Sequence, residues 1–146
     1  MPDEPKPKMP TQYRRTFTLQ SAHLNNQEAY DNLGTALDDE DFPALMSVLT
    51  NIHGHNFKVD VTITGFLGKE FDYLVDDRDI ALFMEKFDNA NLSLIPPFGP
   101  HKRATTENLA EHFAEQIWGM VGDNVSYVGV SVSETESINA SAARGR

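Results

Sequence analysis

Asn51-Ile52-His53-Gly54-His55-Asn56-Phe57-Lys58-Val59-Asp60-Val61-Thr62-Ile63-Thr64 is the stretch that decides how this chain folds. Its second half alternates. Phe57, Val59, Val61 and Ile63 share one parity, and Lys58, Asp60, Thr62 and Thr64 share the other. A two-residue period is that of a strand with one face buried. His53 and His55 carry the parity of the apolar set, so a strand reaching back that far turns both imidazoles toward the dry side. Gly54 between them leaves room for close approach to the backbone. Paired neutral imidazoles on an apolar face point to a metal, because each offers a lone pair that little else nearby would satisfy.

Outward from this stretch, Tyr13, Phe17, Leu19, Ser21 and His23 share a parity over Tyr13–His23. This predicts a first strand with His23 at its end, on the apolar side. His23, His53 and His55 then form a candidate metal set with a fourth position open, set against three unrelated buried or edge histidines. Val125–Thr135 predicts the final strand, in which Val128, Val130, Val132 and Glu134 share a parity. A carboxylate at the end of an apolar row is costly to bury unless it is paired or hydrogen-bonded. It either accepts N–H groups from a heterocycle, or the strand ends at Val132 and Glu134 is wet.

Between the strands the chain reads as follows. Residues 24–41 form a loop, with Asp38-Asp39-Glu40-Asp41 at its end. A short helix follows, capped by Asp41, with Pro43 in its first turn and Phe42, Leu45, Leu49 and Ile52 at helical spacing. Gly68–Val75 alternates as a partner strand. Asp76 or Asp77 caps a helix whose Ile80, Phe83, Met84 and Phe87 fall at i, i+3, i+4, i+7. Residues 92–104 are a Pro/Gly loop. Thr105 or Thr106 caps a second long helix, with Glu107 in its first turn and a stripe of Leu109, Phe113, Ile117, Met120 and Val121, ended by Gly122. His112, among Glu111, Glu115 and Gln116, is expected on the surface. His101-Lys102-Arg103 ahead of the helix offers an anion site, or else is a solvated loop. Neither helix sits in a clear parallel crossover, so the expected class is α+β, an antiparallel sheet with helices on one face.

The 146 residues suffice for one domain with a core, here 11–136, between flexible tails at 1–10 (four prolines) and 137–146. No apolar run approaches membrane-spanning length and no signal peptide is visible. The chain has no cysteine, which removes thiolate ligands and nucleophiles and fits a reducing, cytoplasmic compartment. A net charge of −10 argues against nucleic acid or an anionic membrane as the main partner.

These positions together resemble the 6-pyruvoyl-tetrahydropterin synthase and 6-carboxy-tetrahydropterin synthase family. Phe17-Thr18-Leu19-Gln20-Ser21-Ala22-His23 is similar to the family's first strand and first zinc ligand. His53-Gly54-His55-Asn56-Phe57 with Val59 resembles its signature. Leu74-Val75-Asp76, Thr105-Thr106-Glu107-Asn108-Leu109-Ala110 and Ser133-Glu134-Thr135 match its two helix starts and its pterin-anchoring Glu-Thr. The resemblance runs from about Phe17 to Thr135. It implies the tunnelling fold, a four-stranded antiparallel sheet with two helices, assembled as homo-trimers or homo-hexamers with active sites between subunits. It also implies Zn2+ on His23, His53 and His55, and a pterin substrate, 7,8-dihydroneopterin triphosphate, held by Glu134 near Thr105 and Thr106. Lys102 and Arg103 would then meet the triphosphate. The activity implied is that of a zinc-dependent carbon–oxygen lyase, of the 6-carboxy type that serves queuosine biosynthesis.

Two departures matter. Where the family's general base is a cysteine, this chain has Leu49 or Ser47, depending on the spacing used. The family's Asp-His pair reads Asp88-Asn89, and a carboxamide cannot shuttle a proton at neutral pH. The family's C-terminal tyrosine is also missing. Glu40 or Asp41, or a zinc-bound hydroxide, are the candidates to replace the base, with Asp88 retained. The alternatives are a zinc- and pterin-binding paralogue without lyase activity, or a zinc-water hydrolase on the same scaffold.

Overall fold

Three apolar rows of one parity make the inner face of the sheet. A computed structural model describes residues 8–23, 53–68 and 72–146, with His53 described in its backbone only. Strand β1 spans Thr11–His23, β2 His53–Gly65, β3 Val125–Ser133 and β4 Asn139–Gly145, all antiparallel in the order β1-β2-β3-β4. Register places Leu19 opposite Phe57 and Phe17 opposite Val59. Val59, Val61 and Ile63 face Val132, Val130 and Val128 in turn. These side chains share one cluster with the buried stripes of both helices, so the helices lie on that face.

Helix α1, Asp77–Glu85, starts where Asp76 accepts the N–H of Arg78, and it buries Ile80, Phe83 and Met84. A 3₁₀ turn follows at Leu92–Leu94. Helix α2, Thr106–Trp118, starts where the Thr105 hydroxyl accepts the N–H of Asn108, and it buries Leu109, Phe113 and Ile117. Gly119, rather than Gly122, is its C-cap. The first glycine met weakens the helix enough to end it, which leaves Met120 partly exposed.

Two expectations are overturned. The described part of the expected strand Gly68–Val75 is not a strand: residues 72–75 are bends, with Tyr73 exposed and Leu74 buried, and residues 69–71 lie outside the described residues. Among its described residues a single buried side chain, Leu74, anchors the stretch, so their alternation reflects no pairing. The expected C-terminal tail is instead β4, pairing Asn139–Gly145 with β3. Its inward positions are Ala140, Ala142 and Arg144, opposite Val132, Val130 and Val128. Two methyl groups give α2 close access, and Arg144 reaches Glu115 on α2 with both Nε and a terminal nitrogen, at 2.7 and 2.8 Å. The proposed helix of residues 42–52, and with it Ser47 and Leu49, lies outside the described residues.

At the end of β2 away from the histidines, register shifts between Thr64 and Gly65. A Cβ on Gly65 would sit 2.2 Å from the carbonyl oxygen of Asn124, so no other residue fits. At the start of β1, Asp77 binds both the Tyr13 hydroxyl and the Arg15 guanidinium. Burial, with the Asp77 carboxylate adding to it, pushes the Tyr13 phenol up to about 12.

Candidate functional site

All three inward rows turn polar at one end of the sheet. On β1 the row runs Leu19, Ser21, His23; on β2 it runs Phe57, then His55; on β3 it runs Val132, then Glu134. Antiparallel register makes these ends coincide. Ser21 lies opposite His55, and the backbone of His53 lies opposite that of His23.

His23 is fully buried. Its Nδ1 lies 2.8 Å from the carbonyl oxygen of Ala104, an acceptor only, so Nδ1 carries a hydrogen, and in the neutral ring Nε2 keeps the lone pair. That Nε2 is 3.2 Å from Glu134 Oε1, and His55 Nε2 is 2.6 Å from the same oxygen. The two imidazoles meet edge to face, with centroids 5.2 Å apart. Phe57 packs edge-on against both and forms an apolar floor. The Glu134 side chain is 14% exposed, so it is not the wet strand end that sequence left open. Its Oε2 accepts from the Thr106 hydroxyl at 3.3 Å, at the N-terminus of α2, where the helix dipole favours a carboxylate.

One nitrogen from each of His23 and His55 and one oxygen of Glu134 lie within 4.8 Å of one another and make a candidate metal group. The donor chemistry fits a divalent ion. In the neutral ring His23 gives its only N–H to Ala104, so its lone pair faces a carboxylate, and a proton or a metal ion between these two atoms satisfies both. The Nδ1–carbonyl bond is the outer contact that orients a metal-binding imidazole. Imidazole and carboxylate together suit zinc.

The other predicted residues divide. Thr106 reaches Glu134, while Thr105 is occupied as the helix cap. Lys102 and Arg103 lie on a tight turn closed by pairing of Gly99 with Lys102, and Arg103 is exposed. Asp88 Oδ1 accepts the backbone N–H groups of Gln20 and Asn89, at 2.9 and 3.0 Å. Asn89 has φ 52, a left-handed conformation that asparagine tolerates, and its N–H donates to the Gln20 carbonyl. Asp88 thus ties the turn after α1 to β1. Beside that turn lies an open cavity of about 480 Å³, lined among others by Gln20, Gly54, His55, Asn56 and Asn89. Glu134 borders another of about 600 Å³, with Lys58 and Thr135. Glu40 and Asp41 lie outside the described residues.

His112 corrects the sequence reading. It is half-buried, with its ring against Phe83, Phe87, Phe98 and Phe113. Burial, and next the charge of Lys102, hold its imidazole below the usual value. Its acidic helix neighbours hid this, because Phe83, Phe87 and Phe98 come from α1, the turn after it and the loop. The Ala104 carbonyl and the Phe57 floor also carried no sequence signal for their roles.

The family model for 6-pyruvoyl tetrahydropterin synthase matches residues 12–144. The chain belongs to that family. The human 6-pyruvoyl tetrahydrobiopterin synthase is 30% identical over 92 residues, 60% of this chain and 63% of the human protein, so the match spans less than two thirds of that relative. The fold is that of the Caenorhabditis elegans 6-pyruvoyl tetrahydropterin synthase, at TM-score 0.64 and 17% identity over 95% of this chain and 97% of that one. A Plasmodium vivax 6-pyruvoyltetrahydropterin synthase, in a form with a catalytic glutamate replaced by alanine, gives 0.58 and 14% over 94% and 99%. Among the described residues of this family member, no helix is long and apolar enough to cross a membrane.

Proposed function

We propose that this chain is a zinc-dependent carbon–oxygen lyase of the 6-pyruvoyl/6-carboxy-tetrahydropterin synthase type, acting in the cytoplasm on 7,8-dihydroneopterin triphosphate. The observation that carries the reading is the convergence of His23, His55 and Glu134 at one sheet end, beside the start of α2. His23 and His55 would hold the ion, with His53 as third ligand; its backbone pairing with His23 supports this. When bound, zinc polarises the oxygens of the substrate side chain.

The remaining roles belong to the protein. Glu134 offers two carboxylate oxygens to the parallel N–H groups of a pterin ring, and Thr106 steadies one of them. Lys102 and Arg103 are the cations available to a triphosphate. A base must take a carbon-bound proton and an acid must return one, each worth about 10²–10⁴-fold. Glu40 or Asp41 is assigned as the base. The catalytic glutamate of the Plasmodium vivax relative supports a carboxylate in that role. Asn89 cannot be the acid, and Asp88 would act only by leaving its backbone partners. That engagement favours the second reading, a zinc- and pterin-binding paralogue without turnover. The two outer strands, β1 (covered at Gln20–Ala22 by the turn after α1) and β4, suit closure of the sheet into a homo-trimer or homo-hexamer.

The deciding experiment is a product assay with 7,8-dihydroneopterin triphosphate on the zinc-loaded protein and on Glu40→Gln. The lyase reading expects triphosphate release that drops about 10²-fold or more in the variant. Tight pterin binding with no release would leave the paralogue reading standing alone.

A further inference from the structure

Glu134 is the first residue past the end of β3, and β4 starts at Asn139, so the carboxylate stands on the turn that joins them. The ladder closes with Ser133 opposite Asn139. Beyond that pair the Glu134 N–H donates to the Ile138 carbonyl at 3.0 Å. The Ile138 N–H is taken by the Thr135 hydroxyl oxygen at 3.1 Å, and the Ser137 N–H by the same oxygen at 3.3 Å. A threonine oxygen in that role stands in for a backbone carbonyl and fixes the turn. On the β4 side, the Asn139 carboxamide donates to the hydroxyls of Ser131 and Ser133 at 2.9 and 3.0 Å, which pins the other arm. Thr135 is exposed, so it serves the turn through these hydrogen bonds and not through burial. With Glu134 it also walls the cavity of about 600 Å³.

We propose that Thr135 is the positioning residue of the Glu134 carboxylate: its hydroxyl holds the turn in the shape that keeps both oxygens of Glu134 available to paired N–H groups of a ligand. This rests on the pterin-binding role proposed for Glu134 and extends it. A bidentate grip needs two acceptors and two donors in one plane, and such groups must be held to within about 0.5 Å. The Thr106 hydroxyl steadies Oε2 from α2, but it reaches only the tip of the side chain. The backbone from which that side chain departs is set by the turn. Freeing the Ile138 and Ser137 N–H groups lets the Glu134 main chain shift, and a shift spoils a two-point contact before a one-point contact. Loss of the Thr135 hydroxyl therefore weakens ligands that need both oxygens more than ligands that need one.

The test compares two ligands on the full-length protein by fluorescence titration. 6-Methylpterin presents its 2-amino group and the adjacent ring N–H together, whereas 6-methyllumazine has a carbonyl in place of the amino group and keeps a single N–H between two carbonyls. The unmodified protein is expected to prefer 6-methylpterin. In Thr135→Val and Thr135→Ala that preference is expected to shrink about three- to tenfold, the share of one neutral hydrogen bond, with the melting transition little moved. Thr135→Ser, which keeps the acceptor, is expected to retain it. Full preference in a folded Thr135→Val or Thr135→Ala protein would overturn the proposal. So would an equal loss for both ligands, which is what general loosening gives, or a Thr135→Ser protein as impaired as Thr135→Val. If the unmodified protein shows no preference, or Glu134→Gln leaves it intact, the pterin role of Glu134 itself falls and the proposal with it.

Discussion

The two ends of the same inward face are built by one rule and do different work. In the body of the sheet, Val59, Val61 and Ile63 meet Val132, Val130 and Val128, and every one of these positions is dry and apolar. One or two inward positions further along, Glu134 and His55 continue these rows, and His23 ends the matching row of β1. The pleat and parity are unchanged, and only the chemistry of the side chains differs. The body obtains its stability from area removed from water. The polar end obtains its geometry from being continuous with that body, since each of its side chains extends a strand already fixed by apolar pairing. Removing groups from the two ends should therefore give separable losses.

The largest effect is expected at the polar end. His23→Ala should cut the proposed lyase activity and metal affinity by about 10²-fold or more, with the melting transition of the metal-free protein much less affected. Activity and chelator-competition assays beside thermal denaturation check this. Ile63→Ala should do the reverse. Loss of its buried side chain is expected to cost about 2–5 kcal/mol of stability in urea unfolding, with metal affinity per folded molecule retained. Loss of metal binding in Ile63→Ala at full folding would show that the two ends are not separable.

A smaller effect comes from His112. Its folded pKa is lowered, so the unfolded chain binds the proton more readily and the stabilisation is present above the unfolded value of 6.5. It is lost as pH falls through the folded value. Stability should decline on acidification from about pH 7 to 5, and His112→Gln should flatten that slope, read by denaturant midpoints across pH. The smallest effect is expected for Arg144→Ala. Its pair with Glu115 is half exposed, so the loss should be about 0–1 kcal/mol and should shrink in high salt.

Both strands flanking the histidines were legible because alternation with Val, Ile and Phe is a strong local signal, and both helices because caps and stripes coincide. The polar end was legible for the same reason, since parity alone puts His23, His55 and Glu134 on one face. Strand β4 was not. Asn139-Ala140-Ser141-Ala142-Ala143-Arg144-Gly145 has weak strand propensity, and it is a strand because β3 offers a partner and α2 offers Glu115. The Ala104 carbonyl was invisible because a backbone group leaves no mark on residue type. The aromatic pocket around His112 was hidden because its walls come from three separate segments.

Gly65 shows how far the reach of the fold extends. It stands ten positions from His55, about 33 Å along an extended strand, where the Asn124 carbonyl forbids any side chain. A bulkier residue there would have to displace β2 against β3, and a slip of one position would reverse every side chain on the strand. The imidazole of His55 would then point away from Glu134, though nothing near the candidate metal group had been touched. The alignment of the chemical end is thus set by a steric stop at the opposite end of the molecule.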